Sequence, residues 1–318
     1  VTDTDLIWNA LLAMQRMSWE QGVASHAAID AGKVELAKAL AHDAVVRQDA
    51  HGRLGATGDT GLVNGGALME ATRLLGVEGA EALERQRWAL LRYGPRDDSG
   101  VLWHLEGLPE VWVDTVYMVV PALVVTGDFA PADMQYRMHK EHLWDSATGL
   151  YRHRVNTLTG EHVRGALWAT GNGWVAAGLA RALRLGAEAT PEEMRTRWQR
   201  EALALLEACR QWERADGRFH DVLDDPETFV DGTAGLMFAY AAFTGVADGW
   251  LDSSWHDAAQ RWTDGALAYV GSDGLVREVC GAPHFDKQGT SAEAQAFALL
   301  ALSASKRLSA ATRAQVQP

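Results

Sequence analysis

A chain of 318 residues, 47% hydrophobic and 22% charged, can bury a substantial core, and 31 Gly and 8 Pro without a period exclude collagen-like and low-complexity classes. Against 29 Lys and Arg stand 42 Asp and Glu, a formal charge of −13 that repels phosphate backbones and argues against nucleic acid as a partner. No run approaches the ~20 apolar residues of a membrane-spanning helix.

Apolar residues recur at helical spacing through most of the chain. The spacing predicts helices over 4–17, 18–31, 34–49, 61–76, 79–93, 111–127, 131–144, 170–186, 190–213, 230–246, 252–270 and 290–306. Gly32, Gly76, Gly127 and Gly186 stand where left-handed C-terminal caps belong. Thr190-Pro191-Glu192-Glu193 reads as a capped helix start, and Thr290 and Glu293 repeat the capping-box spacing. The stretch 294–302 is apolar on all sides, so its helix must lie inside a larger assembly. Short hairpins are expected around 150–161 and 217–222. With no Pro/Gly/Ser-rich linker, the expectation is a single all-α domain over 1–318, with about a dozen paired helices closing into a double ring and polar loops at one end carrying the site.

Few chemical motifs stand out. There is no P-loop, no nucleophile elbow and no HExxH, and the Gly-rich 55–61 lacks the strand and helix of a dinucleotide site. His139 and His142 have metal-like spacing but no evident third ligand, so they read as a solvated helix face; no metal or cofactor is expected. The two cysteines, Cys209 and Cys280, could pair or stay free. Thirteen Trp against seven Phe is unusual, and indole faces stack on sugar rings, although any single Trp reads first as core. Asp114 is the most informative residue. It is the one carboxylate in the bulky run 111–120, where burial raises a carboxyl pKa and keeps a general acid protonated; capping the helix from Thr115 is the competing role. Trp168 and Trp174 flank Gly171-Asn172-Gly173 at a turn that opens a helix, which leaves N–H groups toward a ligand.

Trp112-Val113-Asp114-Thr115-Val116-Tyr117-Met118 with Pro121, Gly149-Leu150-Tyr151-Arg152-His153, Gly171-Asn172-Gly173-Trp174, Asp216-Gly217, Met237-Phe238-Ala239-Tyr240, and Gly289-Thr290-Ser291 with Gln295-Ala296-Phe297 occur in one order over about 60–300. Together they resemble glycoside hydrolase family 105, the unsaturated rhamnogalacturonyl hydrolases, and the related unsaturated glucuronyl hydrolases of family 88. The resemblance implies an (α/α)6 barrel. It implies a substrate too: an oligosaccharide whose non-reducing end is a 4,5-unsaturated uronic acid left by a polysaccharide lyase. The reaction it implies is hydration of the C4=C5 enol ether rather than direct cleavage by two carboxylates. By the same resemblance Asp114 is the catalytic acid and base, and Asp59 falls where a second carboxylate is expected. His153 and His104 match substrate-binding histidines, and Trp168 and Trp174 match aromatic pocket residues. Trp19 is a further candidate wall. The family usually has Arg where this chain has Thr170, which is therefore expected to face the substrate and widen the pocket, with Arg152 or Arg164 as candidates to restore the charge. The family's Asp three after the His is here Asn156.

Two other readings stand beside this one: a sugar epimerase or isomerase on a similar barrel, which needs a pair of placed histidines, and a non-catalytic carbohydrate-binding relative. Val1 in place of a starting Met suits removal of an N-terminal segment. The expected location is extracellular, with cytoplasmic as the alternative, and no Asn-x-Ser/Thr sequon adds support.

Overall fold

The computed structural model describes residues 3–56 and 61–316. Among these, helices alternate between an outer and an inner layer. The inner layer is α2 (Ser18–Asp30), a 3-10 stretch (Leu62–Leu68) continuing into α4 (Met69–Arg73), α6 (Thr115–Val125), α8 (Ala169–Gly186), α10 (Gly232–Ala247) and α12 (Ala292–Val316). Each inner element packs on the next, and α12 packs on α2, so the ring closes. Outside it lie α1 (Thr4–Met14) on α12, α3 (Val34–Val46) on α2, α5 (Val77–Trp88) on α4, α7 (Phe129–Leu143) on α6, α9 (Glu192–Arg210) on α8 and α11 (Trp255–Leu267) on α10. This is the helical barrel expected from the spacing.

Composition assigns the layers. Every residue of α6 is buried, as is every residue of α10 from Gly232 to Gly245, because an inner helix has protein on all sides. The outer α9 buries only one stripe, including Met194, Trp198, Ala202, Leu205 and Leu206. Toward the end of the ring where α2 and α8 terminate, a polar cluster is buried. Arg181 Nη2 lies 2.7 Å from Glu70, its Nη1 lies 3.4 Å from Asp30, and Arg184 holds the second Asp30 oxygen at 2.7 Å.

Among the described residues, four two-stranded ribbons precede or join the helices. β1 (Glu110–Trp112) pairs antiparallel with β4 (Arg154–Asn156), Trp112 opposite Arg154. β2 (Trp144–Asp145) pairs with β3 (Leu150–Tyr151), β5 (Phe219–His220) with β6 (Val230–Asp231), and β7 (Val279–Cys280) with β8 (Gln288–Gly289).

Several local expectations are corrected. The helix expected over 111–127 begins as strand β1, because Glu110 to Trp112 pair with β4. The inner element over 61–76 is tightened into a 3-10 turn where Gly65 and Gly66 press on Gln86 and on the Met118 carbonyl, with no room for a Cβ. After α8 the positive φ falls on Ala187 (38°), not on Gly186, whose missing Cβ admits the Thr190 hydroxyl instead. Thr190 caps nothing; its buried hydroxyl has no partner. His139 is not solvated but buried, Nδ1 against the Gln135 carbonyl. Cys209 and Cys280 are separate buried thiols.

Candidate active site

The N-terminal ends of inner helices and the ribbons beside them enclose a cavity of ≈ 620 Å³. Trp19 enters it from the start of α2, Asn64 from the 3-10 turn, Asp114 from the residue before α6, Trp168 from the residue before α8 and Glu293 from the start of α12. Helix N-termini carry partial positive charge, and Arg154 and Arg164 join the wall. They share the lining with four carboxyls, those of Asp114, Asp221, Asp286 and Glu293.

Asp114 sits at the junction of β1 and α6. Its side chain makes no capping hydrogen bond, so the helix-cap role is not realised. The carboxyl keeps 16% of its surface open to the cavity, and its buried Oδ2 has no hydrogen-bond partner. Loss of water raises its pKa to about 6, against the opposing pull of a hydrogen bond from its own backbone and of Arg154 and Arg164. At pH 7 about a tenth of it is then protonated, against roughly a thousandth for an ordinary aspartate. A carboxyl with one unpartnered oxygen, on a side chain that borders a cavity, is equipped to protonate a ligand.

His153 follows β3 and faces this acid, with Nε2 3.7 Å from Asp114 Oδ2. The main chain holds it from both sides: its N–H donates to Ala166 and its carbonyl accepts from Val113. The ring lies between Trp168 (centroids 4.5 Å apart) and Trp112 (5.8 Å). Burial, then the charges of Arg164 and Arg154, push its pKa well below the usual imidazole range, so it is neutral. His104 stacks on Trp112 at 4.6 Å with planes 7° apart, and its Nδ1 lies 2.9 Å from Thr115 Oγ1. Burial carries its pKa down to about 3.

The tryptophans divide. Trp198 and Trp262 are wholly core, whereas Trp19, Trp112, Trp168 and Trp174 line the cavity. The 168–174 segment is helix from Ala169 onward rather than a turn, and the Ala169 N–H is taken by the Asp221 carbonyl. Asn172 instead clamps β3, accepting from the Tyr151 N–H and donating to the Tyr151 carbonyl. That contact aligns α8 with the ribbon bearing His153.

Thr170 departs from expectation. It is fully buried, its hydroxyl donates to Asp231 Oδ2 at 2.5 Å, and it does not line the cavity. It supports the wall from behind and is not a ligand contact. The charge in the cavity comes from Arg154 and Arg164; Arg152 turns to Asp145 and the Gly165 carbonyl. Asp59 lies outside the described residues. Spacing also passed over Asp221 and Glu293. Asp221 accepts from the Trp168 indole at 2.9 Å and from Arg164 at 3.1 Å, and burial together with nearby Asp231 lifts its pKa to about 6. Glu293, read as a capping-box residue, borders the cavity instead. Burial holds its carboxyl well above the usual range, and Oε2 is unpartnered. The helix start there is served by Ser291, which accepts from Ala294.

Among the described residues, one trio places three ligand atoms within 4.8 Å of one another: Asp221, Asp231 and Cys280. Their carboxylates already accept from Trp168, Arg164, Thr170, Thr233 and Cys280. Among the described residues, His139 and His142 belong to no such group.

The sequence model of Glycosyl Hydrolase Family 88 matches residues 13–303. The unsaturated rhamnogalacturonyl hydrolase YesR of Bacillus subtilis (strain 168) is 28% identical over 169 residues, which cover 48% of this chain and 47% of YesR. The match thus spans about half the length of that relative. Among solved structures, a possible GH105 member from Klebsiella pneumoniae subsp. pneumoniae MGH 78578 superposes with a TM-score of 0.79 at 21% identity, covering 90% of this chain and 81% of that one. A family 105 glycoside hydrolase of C. acetobutylicum ATCC 824 gives 0.78 at 17% identity, covering 96% and 99%. These likenesses agree with the barrel. The sequence match runs from α1 into α12, across the segments that bring Asp114, His153 and the tryptophans to one cavity, and the chain belongs to Glycosyl Hydrolase Family 88.

Proposed function

We propose that the chain hydrates the C4=C5 double bond of a 4,5-unsaturated uronic acid at the non-reducing end of an oligosaccharide. The observation that carries this reading is Asp114: a buried carboxyl with an unpartnered oxygen, its pKa raised to about 6, open to a tryptophan-lined cavity with two arginines. Protonated Asp114 gives its proton to C4, and positive charge develops at C5 and the ring oxygen. Water adds at C5 as the Asp114 carboxylate takes its proton, which regenerates the acid. The hemiketal then opens and releases the neighbouring sugar and a 4-deoxy-5-keto-uronate, one water being consumed. The uronate carboxylate lies toward Arg154 and the helix N-termini, and the sugar ring against the indoles. His104 and His153 contact the bound sugar.

The same site speaks against the epimerase reading. Of the three cavity histidines, His104, His153 and His284, the two beside Asp114 and Trp112 are held neutral, so His104 and His153 do not form an acid and base pair near neutrality. Loss of the enol-ether absorbance on lyase-generated disaccharides tests the proposal. A band that persists while the sugar is epimerised or merely bound would overturn it. A panel differing only in the second sugar identifies the leaving group, for which YesR makes rhamnose the first to try.

A further inference from the structure

Arg164 does not simply contribute charge to the cavity. Its Nη1 lies 3.1 Å from His153 Nδ1, its Nη2 lies 3.1 Å from Asp221 Oδ2, and its guanidinium lies over the Trp168 ring at 5.4 Å. Asp221 Oδ1 in turn accepts from the Trp168 indole. A guanidinium has donors and no acceptor, so His153 Nδ1 must be the unprotonated nitrogen. The ring proton then sits on Nε2, the atom that faces Asp114 at 3.7 Å.

We infer that Asp221, Arg164 and His153 form a positioning relay in which Arg164, anchored by Asp221, fixes His153 as its Nε2–H tautomer toward Asp114. This rests on the proposed role of Asp114 as the acid. Once Asp114 has given up its proton, the new carboxylate needs a donor, and Nε2–H is placed to become one by a small closure. The opposite tautomer would turn a lone pair toward that carboxylate and oppose the transfer. His153 moves no proton in this scheme. It is neutral throughout, and its contribution is to stabilise Asp114 as an anion. Arg164 and Asp221 act only through it and are positioning residues.

The experiment reads the ring nitrogens of His153 by 15N NMR in the intact protein, the signal being assigned by its absence in His153→Gln. Wild type should show a pyridine-like Nδ1 and a pyrrole-like Nε2. In Arg164→Met both tautomers should appear, and on unsaturated disaccharides kcat should fall about tenfold, less than on loss of the acid itself, with KM within about twofold. Arg164→Lys restores a donor and should recover most of both effects. Asp221→Asn keeps an acceptor for the Trp168 indole but drops the charge anchoring Arg164, and should move the ring signals as Arg164→Met does. An unchanged tautomer in Arg164→Met, or a KM effect with kcat intact, overturns the relay. The nitrogen signals need no substrate, so a wild type that leaves the enol ether untouched would sink the proposed reaction while the relay is still tested.

Discussion

Arg154 and Arg164 stand directly opposite each other across an antiparallel bridge, yet their donors are used differently. Arg164 is committed to His153 and Asp221. Arg154 lies over Trp112 at 4.7 Å, its buried Nε has no partner, and its nearest carboxylate, Glu110, is 3.6 Å away. Like charges opposite one another across strands are unfavourable unless something compensates them. The less satisfied member is the one a bound carboxylate would complete.

Arg154→Gln should therefore weaken substrate binding. Loss of a charge-assisted hydrogen bond costs about 1.5–3 kcal/mol, so KM should rise by roughly 10- to 100-fold with a smaller change in kcat. Steady-state kinetics on one unsaturated disaccharide check this. A kcat loss at constant KM would instead give Arg154 the kind of role argued for Arg164.

Asp114→Asn keeps the shape and removes the acid. Turnover should drop by ~10²-fold or more. Stability should move the other way. The folded pKa of about 6 lies above the ordinary 3.8, so the fold favours the protonated form, and the stability this confers is lost as pH rises through about 6. At pH 8 the asparagine variant should be the more stable by on the order of 1–3 kcal/mol in denaturant titration. The wild-type kcat/KM should decline with a limb near pH 6. A rate flat to pH 8 would contradict an acid that must be protonated at rest.

Much of this was legible in the chain. Twelve segments show helical spacing, and the largely apolar α6 and α10 follow from burial on all sides, which composition records directly. Asp114 was legible for the same reason: one carboxylate among Val, Trp, Tyr and Met stands out. Arg164 was legible only as a candidate charge for the pocket, and its link to Asp221 was not, because the two meet only when the segment after β4 is folded against the segment after β5. Glu293 was misread because its spacing from Thr290 fits a capping box; only packing reveals that Ser291 serves the helix start and that the glutamate turns to the cavity. Thr170 was misplaced for a related reason, since the residue beside a cavity-lining Trp can point to either side of a helix.

Thr170→Arg should thus act on stability rather than on sugar preference. The position is closed, and the long cation would displace the hydroxyl from Asp231 and overpack the wall. Overpacking alone costs about 1–3 kcal/mol. Thr170→Val, which removes only the hydroxyl, should lower the melting temperature while leaving the ranking of leaving-group sugars unchanged. A changed ranking in the valine variant would return Thr170 to the ligand surface.

Arg181→Met addresses the opposite end of the ring. The arginine is buried between Glu70 and Asp30 and also donates to Tyr240 Oη. Its loss leaves carboxylates buried with only Arg184 beside Asp30, a class of change that costs about 3–5 kcal/mol. Thermal unfolding should show that loss. The KM of the folded fraction should stay near wild type, and a selective KM change would mean that the cluster shapes the cavity.

The packing of α12 on α2 has a consequence for how the cavity comes into being. Trp19 touches Phe285 edge-on at 6.1 Å, and Glu293 shares the same wall, so residues from the second and the last helix meet around one ligand space. A growing chain therefore has no half-built cavity to offer: five inner elements make an open arc, and only the arrival of the sixth turns it into an enclosure. Ligand protection against proteolysis should accordingly appear all at once, with the final helix, and a chain cut before α12 should gain none.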